Sequence, residues 1–279
     1  MANVRIDVQV IDKGQPVAGL TKDDFIVLDE GAPQPLVYFG RDSDKLSLLL
    51  LLDISGSTRQ YIEQISGVAR DSLRHLQPGD RVAVMVFARR SRVRLEWTDD
   101  HAGVAREIRS AIGDQSLGAA TNINESLLDA AKYVAETAGD TGRRAVLIVT
   151  DNEGLNYRSP DEPVLQAMFG SDTVVNAIVV GKGRKPEKVD PGRYQNPDFT
   201  PPDVFRISGE TGGEAVRADK AGAAFAGMIE RIRTRYGLHY NKPAGAEPGF
   251  RKVEVTLSPS ARRNYPGATL RFRKGYQVR

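Results

Sequence analysis

The stretch Leu46-Ser47-Leu48-Leu49-Leu50-Leu51-Leu52 constrains this chain more than any other, because it shows no alternation and stops abruptly at Asp53. A strand with one face in water alternates apolar with polar residues, whereas an unbroken apolar run suits a strand covered on both faces of a parallel sheet. Further runs of the same kind occupy 82–87, 145–149 and 174–180, and 93–97 reads as a shorter, edge-like strand. Between them Ile62, Ile65, Ala69, Leu73 and Leu76 recur at three and four residues, which predicts a helix stopped by Pro78-Gly79-Asp80. Other helices are predicted near 103–112, through Ile123, Leu127, Leu128, Ala131 and Val134, and late in the chain through Phe225, Met228, Ile229, Ile232 and Tyr236. Strands that alternate with helices imply right-handed crossovers and an α/β fold with a doubly wound, mostly parallel sheet.

Both ends depart from that pattern. Val4, Ile6, Val8 and Val10 alternate with Arg5, Asp7 and Gln9, the period-two mark of a half-buried strand, and 25–28 and 37–39 read as two more. After 236, short strand candidates at 238–240, 253–257 and 268–272 are separated by Pro and Gly. They are expected to pair with the N-terminal strands, so that the chain divides into an N-terminal β-segment (1–44), an α/β domain (45–236) and a C-terminal β-segment (237–279) packed with the first. The Gly-, Pro- and Lys-rich stretch 181–202 reads as a long exposed loop.

Three loops carry the chemistry. Asp53-Ile54-Ser55-Gly56-Ser57 follows the first buried strand, Gly118-Ala119-Ala120-Thr121 opens a helix, and Thr150-Asp151 closes the third apolar strand. In an open α/β sheet ligands gather at the carboxyl ends of the strands, where these loops fall. Two carboxylates and three hydroxyls form an all-oxygen donor set, which suits one hard divalent cation, Mg²⁺ first, with Mn²⁺ or Ca²⁺ as alternatives. Neutral hydroxyls leave such an ion short of anionic ligands, so a carboxylate from another molecule is the favoured completing ligand. The bland reading is a capped loop at a helix start, since Ser and Asp are favoured N-caps, and Thr121 is itself a plausible N-cap for the helix at Ile123.

The D-x-S-x-S after a buried strand, the later Thr in G-x-x-T and the T-D after another strand resemble the metal-ion-dependent adhesion site of von Willebrand factor A domains. The resemblance implies that Asp53, Ser55, Ser57, Thr121 and Asp151 are the metal ligands. Asp12-Lys13-Gly14-Gln15-Pro16-Val17-Ala18-Gly19-Leu20-Thr21-Lys22-Asp23-Asp24-Phe25 resembles the entry of bacterial VWFA-related proteins first grouped from Acidobacteria. Thr211-Gly212-Gly213-Glu214-Ala215, Arg235-Tyr236-Gly237-Leu238-His239-Tyr240 and Arg273-Lys274-Gly275-Tyr276 resemble later landmarks of that group. It implies an extracytoplasmic, secreted or periplasmic, metal-dependent protein-binding or adhesion module that captures an Asp or Glu of a protein or cell-surface ligand. The alternative is a non-catalytic scaffold in which the metal is structural or absent. Some A domains move the last helix, here 221–236, when the site fills. Asn152 departs from the pattern, since Gly commonly follows that Asp.

Composition narrows the rest. A net charge of +3 with no basic element interleaved with aromatics argues against nucleic acid. Arg89, Arg90, Arg92 and Arg94 form a local basic run that reads as a solvated hairpin or strand edge, with an anionic partner as its alternative. The absence of cysteine removes disulfides, thiolate metal sites and cysteine nucleophiles together. Met-Ala-Asn-Val-Arg has no apolar core of a signal peptide, and the 46–52 run is too short to cross a bilayer, so no membrane insertion is expected. A serine nucleophile would need a base, and His75, His101 and His239 have no motif around them. Glu153 is the one candidate base beside Asp151, and no G-x-x-x-x-G-K-[ST] phosphate loop is present. No enzyme is expected.

Overall fold

The computed structural model of the chain describes residues 3–41, 44–118, 120–139, 142–154, 156–187, 196 and 198–278. In chain order, β1 (Asn3–Asp12), β2 (Gln15–Pro16), β3 (Phe25–Asp29), β4 (Ala32–Gln34) and β5 (Leu36–Arg41) precede the α/β layer. That layer runs through β6 (Leu46–Asp53), α1 (Arg59–Ser72), β7 (Arg81–Phe87), β8 (Ser91–Thr98), α2 (His101–Ala111), α3 (Ile123–Thr137), β9 (Arg143–Thr150) and β10 (Asn156–Tyr157). It continues with α4 (Asp161–Gly170), β11 (Thr173–Val180), β12 (Phe199–Thr200), α5 (Val204–Thr211), β13 (Ala215–Ala218) and α6 (Ala221–Arg233). The chain closes with β14 (Tyr236–Asn241), β15 (Gly249–Leu257), α7 (Pro259–Asn264), β16 (Thr269–Arg271) and β17 (Gly275–Val278).

The leucine run becomes the middle of a six-stranded sheet of order β13-β11-β9-β6-β7-β8, parallel except for the antiparallel edge β8. All eight residues of β6 are buried, and successive side chains serve opposite layers. Leu48, Leu50 and Leu52 pack with Ile62 and Ile65 of α1, Val104 and Ile108 of α2, and Phe225 and Ile229 of α6. Leu49 and Leu51 face Ile123 and Leu127 of α3, Val164 and Met168 of α4, and Val204 and Ile207 of α5. Helices on both faces explain why β6 carries no polar alternation. From β6 the chain winds through α1 to β7; from β9 it winds the other way, through α4 to β11. The winding therefore reverses between the neighbours β6 and β9, the place where a sheet of this kind opens a crevice at its carboxyl end.

The strands from the two chain ends form a second pair of sheets, β16-β1-β14-β5 with β2 beside β1, and β17-β15-β3-β4. Val4, Ile6, Val8 and Val10 meet Val27, Val253, Val255 and Leu257 in their common core. β1 pairs antiparallel with both β14 and β16, so the first strand is held by two strands from the C-terminal part.

The structure corrects four local expectations. β1 is not half-buried: Asp7 and Gln9 on its polar face are covered too, because that face docks on the α/β layer rather than on water. Tyr236 does not end the late helix; α6 stops at Arg233, and the Tyr236 hydroxyl donates to the Val17 carbonyl from the start of β14. Thr121 does not cap α3, whose N-cap is Asn122. Of the expected loop 181–202, residues 188–195 and 197 lie outside the described residues, while Phe199–Thr200 forms a strand paired with Asn156–Tyr157.

Candidate metal centre

Asp53 is the last residue of β6 and Asp151 follows the last residue of β9, so the sheet brings the two carboxylates to adjacent strand ends. Each is buried. The loop after β6 folds back on Asp53: its Oδ1 accepts from the Ser55 amide at 3.0 Å, and its backbone carbonyl accepts from Thr58 Oγ1 at 2.6 Å. Its other oxygen, Oδ2, accepts from Thr150 Oγ1 at 2.8 Å, a bond between neighbouring strands. Burial pushes the Asp53 carboxyl up to about 6, against the lowering pull of hydrogen bonds from Ser55 and Thr150, and the negative charge of Asp151 adds to the rise.

Three of the four remaining candidates join this group. Ser57 Oγ donates to Asp151 Oδ2 at 2.6 Å, closing the first loop onto the third. Ser55 Oγ lies 3.3 Å from Ser57 Oγ and 3.3 Å from Thr58 Oγ1. Asp151 Oδ1 accepts from the Glu153 amide at 3.1 Å. Neither Asp53 nor Asp151 forms an ion pair with a described residue. Thr121 is the exception: it makes no hydrogen bond to the other four among the described residues. Its backbone borders the same loop, since a Cβ added to Gly154 would lie 3.2 Å from the Thr121 carbonyl oxygen. The neighbouring Asn122 amide donates to the Ala88 carbonyl at 2.9 Å, which ties the entry of α3 to the end of β7.

Sequence reasoning missed Thr58, whose hydroxyl buttresses both Asp53 and the Ser55 carbonyl, at 3.0 Å from the latter. Only its place in the string Ser-Gly-Ser-Thr could have marked it. Asn152 takes a left-handed backbone, φ 52°, a conformation that Gly enters freely and Asn more readily than most other residues. The departure from Gly at this position therefore keeps the loop's shape. Outside the cluster, Ser57, Asp151 and Glu153 border an open depression of about 310 Å³ that Gln60, Tyr61 and Lys182 complete.

These donors fit a hard cation: two carboxylates with converging hydroxyls, neither carboxylate ion-paired to a described residue. Among the described residues no group of three or more His, Cys, Asp or Glu side chains is placed to hold a metal. A centre here would therefore depend on serine and threonine oxygens beside its two carboxylates.

Comparison with known proteins gives the fold the same reading. Residues 48–154 match the von Willebrand factor type A domain model. A solved aerotolerance-related membrane protein from Bacteroides fragilis aligns over 67% of this chain and 98% of its own, at 20% identity and TM-score 0.51. A von Willebrand factor type A protein from Catenulispora acidiphila aligns over 95% of this chain and 71% of its own, at 11% identity and TM-score 0.50. Proximal thread matrix protein 1 from the mussel byssus, with a zinc-occupied MIDAS motif, aligns over 74% of this chain and 50% of its own, at 14% identity and TM-score 0.53. Among proteins of curated function none matches. The matched segment runs from β6 to the loop after β9, so this part of the chain is similar to a von Willebrand factor type A domain, and the solved structures share its fold.

Proposed function

We propose that Asp53, Ser55, Ser57, Thr121 and Asp151 hold one divalent cation, and that the chain is a binding module which takes an acidic side chain of a protein or cell-surface partner there. The observation that carries this is the pair of buried carboxylates at the ends of adjacent strands, neither of which forms an ion pair with a described residue. Two such charges are costly to keep together in a dry site unless a positive charge compensates them. A bound cation would supply that charge and a coordination position for an incoming oxygen. The chain's own groups do the positioning. Thr150 and the Ser55 amide orient Asp53, the Glu153 amide orients Asp151, and Thr58 fixes the turn that presents Ser55 and Ser57. Thr121 enters as the fifth donor from the family pattern and from its place beside Gly154. The zinc-occupied motif of the mussel protein favours a divalent ion, with Mg²⁺ or Mn²⁺ the ions to test first and Ca²⁺ after them.

We read the site as one for binding rather than catalysis, in keeping with the match of its loops to a von Willebrand factor type A domain. An extracytoplasmic setting belongs to the same proposal; no described helix is long and apolar enough to cross a membrane. Titration calorimetry of the EDTA-stripped protein with Mg²⁺ and Mn²⁺, beside Asp151→Ala, tests it. Saturable binding that the variant loses is the expected result. No heat with either ion, together with melting temperatures indifferent to metal, would turn the reading toward a scaffold with no working metal.

A further inference from the structure

Past the candidate metal loop stands a small ribbon in which Asn156 pairs with Thr200 and Tyr157 with Phe199. The two rings lie 5.2 Å apart, yet 54% of Tyr157 and 42% of Phe199 remain exposed. A ribbon of two residues a side has no stability of its own, so its fixed place must come from elsewhere. The Arg158 amide donates to the Asp198 carbonyl at 2.7 Å, and the two side chains form an ion pair at 3.1 Å. Asn156 Oδ1 accepts from the Asn124 amide in the first turn of α3 at 3.2 Å, and the Arg158 guanidinium stands 5.1 Å from the Tyr157 ring centre. The rings are therefore held out on an anchored platform.

A cross-strand aromatic pair that only steadied its ribbon would be served by the contact between the rings. Here both keep a half-exposed face at the carboxyl end of the sheet. The other large exposed side chains lie elsewhere: Phe250 rests on Phe169 at 5.2 Å, and Ile26, Val37 and Tyr38 belong to the terminal β-sheets. Position matters most. Tyr157 is six residues after Asp151, so the two are at most about 20 Å apart along the extended chain. One short peptide can reach both. Lys182 lines the depression beside Ser57, Asp151 and Glu153 and forms no ion pair with a described residue, which gives an acidic segment one cation to meet there.

We infer that the partner segment carries, within a few residues of its acidic side chain, an aromatic or large apolar side chain that packs on Tyr157 and Phe199. This rests on the reading of the Asp53–Asp151 cluster as the carboxylate-holding site. Aromatic pairs add to area burial and anchor residues dominate small interfaces, so the second contact should tighten binding about tenfold.

The test uses fluorescent heptapeptides of otherwise Gly and Ser, each with one Glu and either Trp or Gly at one to five residues from it, titrated by anisotropy against the Mn²⁺-loaded full chain. The expected result is that one spacing of Glu with Trp binds about tenfold tighter than Glu with Gly. Tyr157→Ala combined with Phe199→Ala should erase that advantage while leaving the Mn²⁺ titration and the Glu–Gly affinity unchanged. Tyr157→Phe, which keeps the ring, should retain it, and if the double variant melts early Phe199→Ala alone should reduce the advantage. EDTA-sensitive binding that is equal for Trp and Gly peptides overturns this inference alone, as does an advantage that survives the double variant. Binding indifferent to EDTA and to replacing Glu by Gln overturns the metal-face reading and this inference with it. Absence of binding by every peptide overturns the inference.

Discussion

Asp53 concentrates the physical conflict of the site in one side chain. Burial pushes its carboxyl from an ordinary 3.8 up to about 6, and Asp151 adds repulsion. A carboxyl raised in this way holds a proton in the folded chain between about pH 6 and pH 4 that the unfolded chain has released. The metal-free protein should therefore gain stability as pH falls through that window, and lose it as pH rises to 7.5. The shift corresponds to roughly 3 kcal/mol. Asp53→Asn removes the charge, so the metal-free variant should melt several degrees above the native chain at pH 7.5, with the gap narrowed to about half near pH 5. Calorimetric melts in EDTA at both pH values check this, and a variant less stable than the native chain at pH 7.5 would refute it. Because a cation and a proton compete for the same oxygens, added Mn²⁺ should raise the native melting temperature more at pH 7.5 than at pH 5. Asn152 carries a different cost. Its side chain donates to the Arg184 carbonyl at 3.0 Å and accepts from the Val204 amide at 3.3 Å, while its φ of 52° suits Gly better. Asn152→Gly relieves the backbone but loses both bonds, whereas Asn152→Ala loses the bonds and keeps the strain. Urea unfolding should rank native above Gly above Ala, with Ala lower than native by about 2–4 kcal/mol. Equal losses for both variants would show that the left-handed backbone contributes little.

Among the elements, the strands were easiest to read because their burial leaves one signature. β6, β7, β9 and β11 lie inside two layers of helices, so apolar residues fill both faces and the sequence shows it directly. The spacing of Asp53, Ser55 and Ser57 was legible for a similar reason, being local to one turn. What could not be read depends on neighbours distant in sequence. α4 is ten residues with Pro163 in its first turn and α5 is eight, too short to show several turns of periodicity. β17 is four residues opening on Gly275 and exists because β15 offers it a partner. The polar face of β1 gave the opposite signal from its environment, since alternation normally means water on one side. Here Arg5 binds Asp172 at 2.8 Å, and Asp7 binds Arg143 at 3.0 Å. Burial would raise the Asp7 carboxyl, but Arg143 and Arg5 hold it below its usual range. Arg143 also donates to the Ile232 and Arg233 carbonyls, at 2.6 and 2.9 Å, finishing the C-terminus of α6. Arg143→Met should therefore destabilise the full chain by about 3–5 kcal/mol, because it strands a buried carboxylate and uncaps a helix. Urea unfolding measures it, and a loss under 1 kcal/mol would show that Arg5 alone satisfies Asp7.

For the molecule as a whole, that seam decides whether the terminal strands are an appendage. β5 leads into β6, β14 follows α6, and the two pair antiparallel, so the chain enters and leaves the α/β layer side by side. β1 lies against β14 and turns its polar face onto the base of that layer, where Arg143 and Arg233 are both buried. Arg233 keeps Asp80, at 2.9 Å, within the α/β layer; among the described residues Arg143 has its carboxylate only from β1. A chain cut to residues 45–236 thus retains the donors of the candidate metal centre but leaves Arg143 without Asp7 and Phe169 without Phe250. It should still fold, since its two apolar layers are complete, yet melt well below the full chain. The size of one substitution then separates a charge effect from a general loss of packing. In the full chain Arg143→Met breaks an ion pair and uncaps α6; in the cut chain only the bonds to the Ile232 and Arg233 carbonyls are lost, so it should destabilise less. Thermal melts of the four proteins form a double-mutant cycle whose coupling should reach a few kcal/mol. A coupling near zero would mean that the terminal sheets stabilise the α/β layer through apolar contact alone, and that the buried ion pair fixes their orientation without adding to stability.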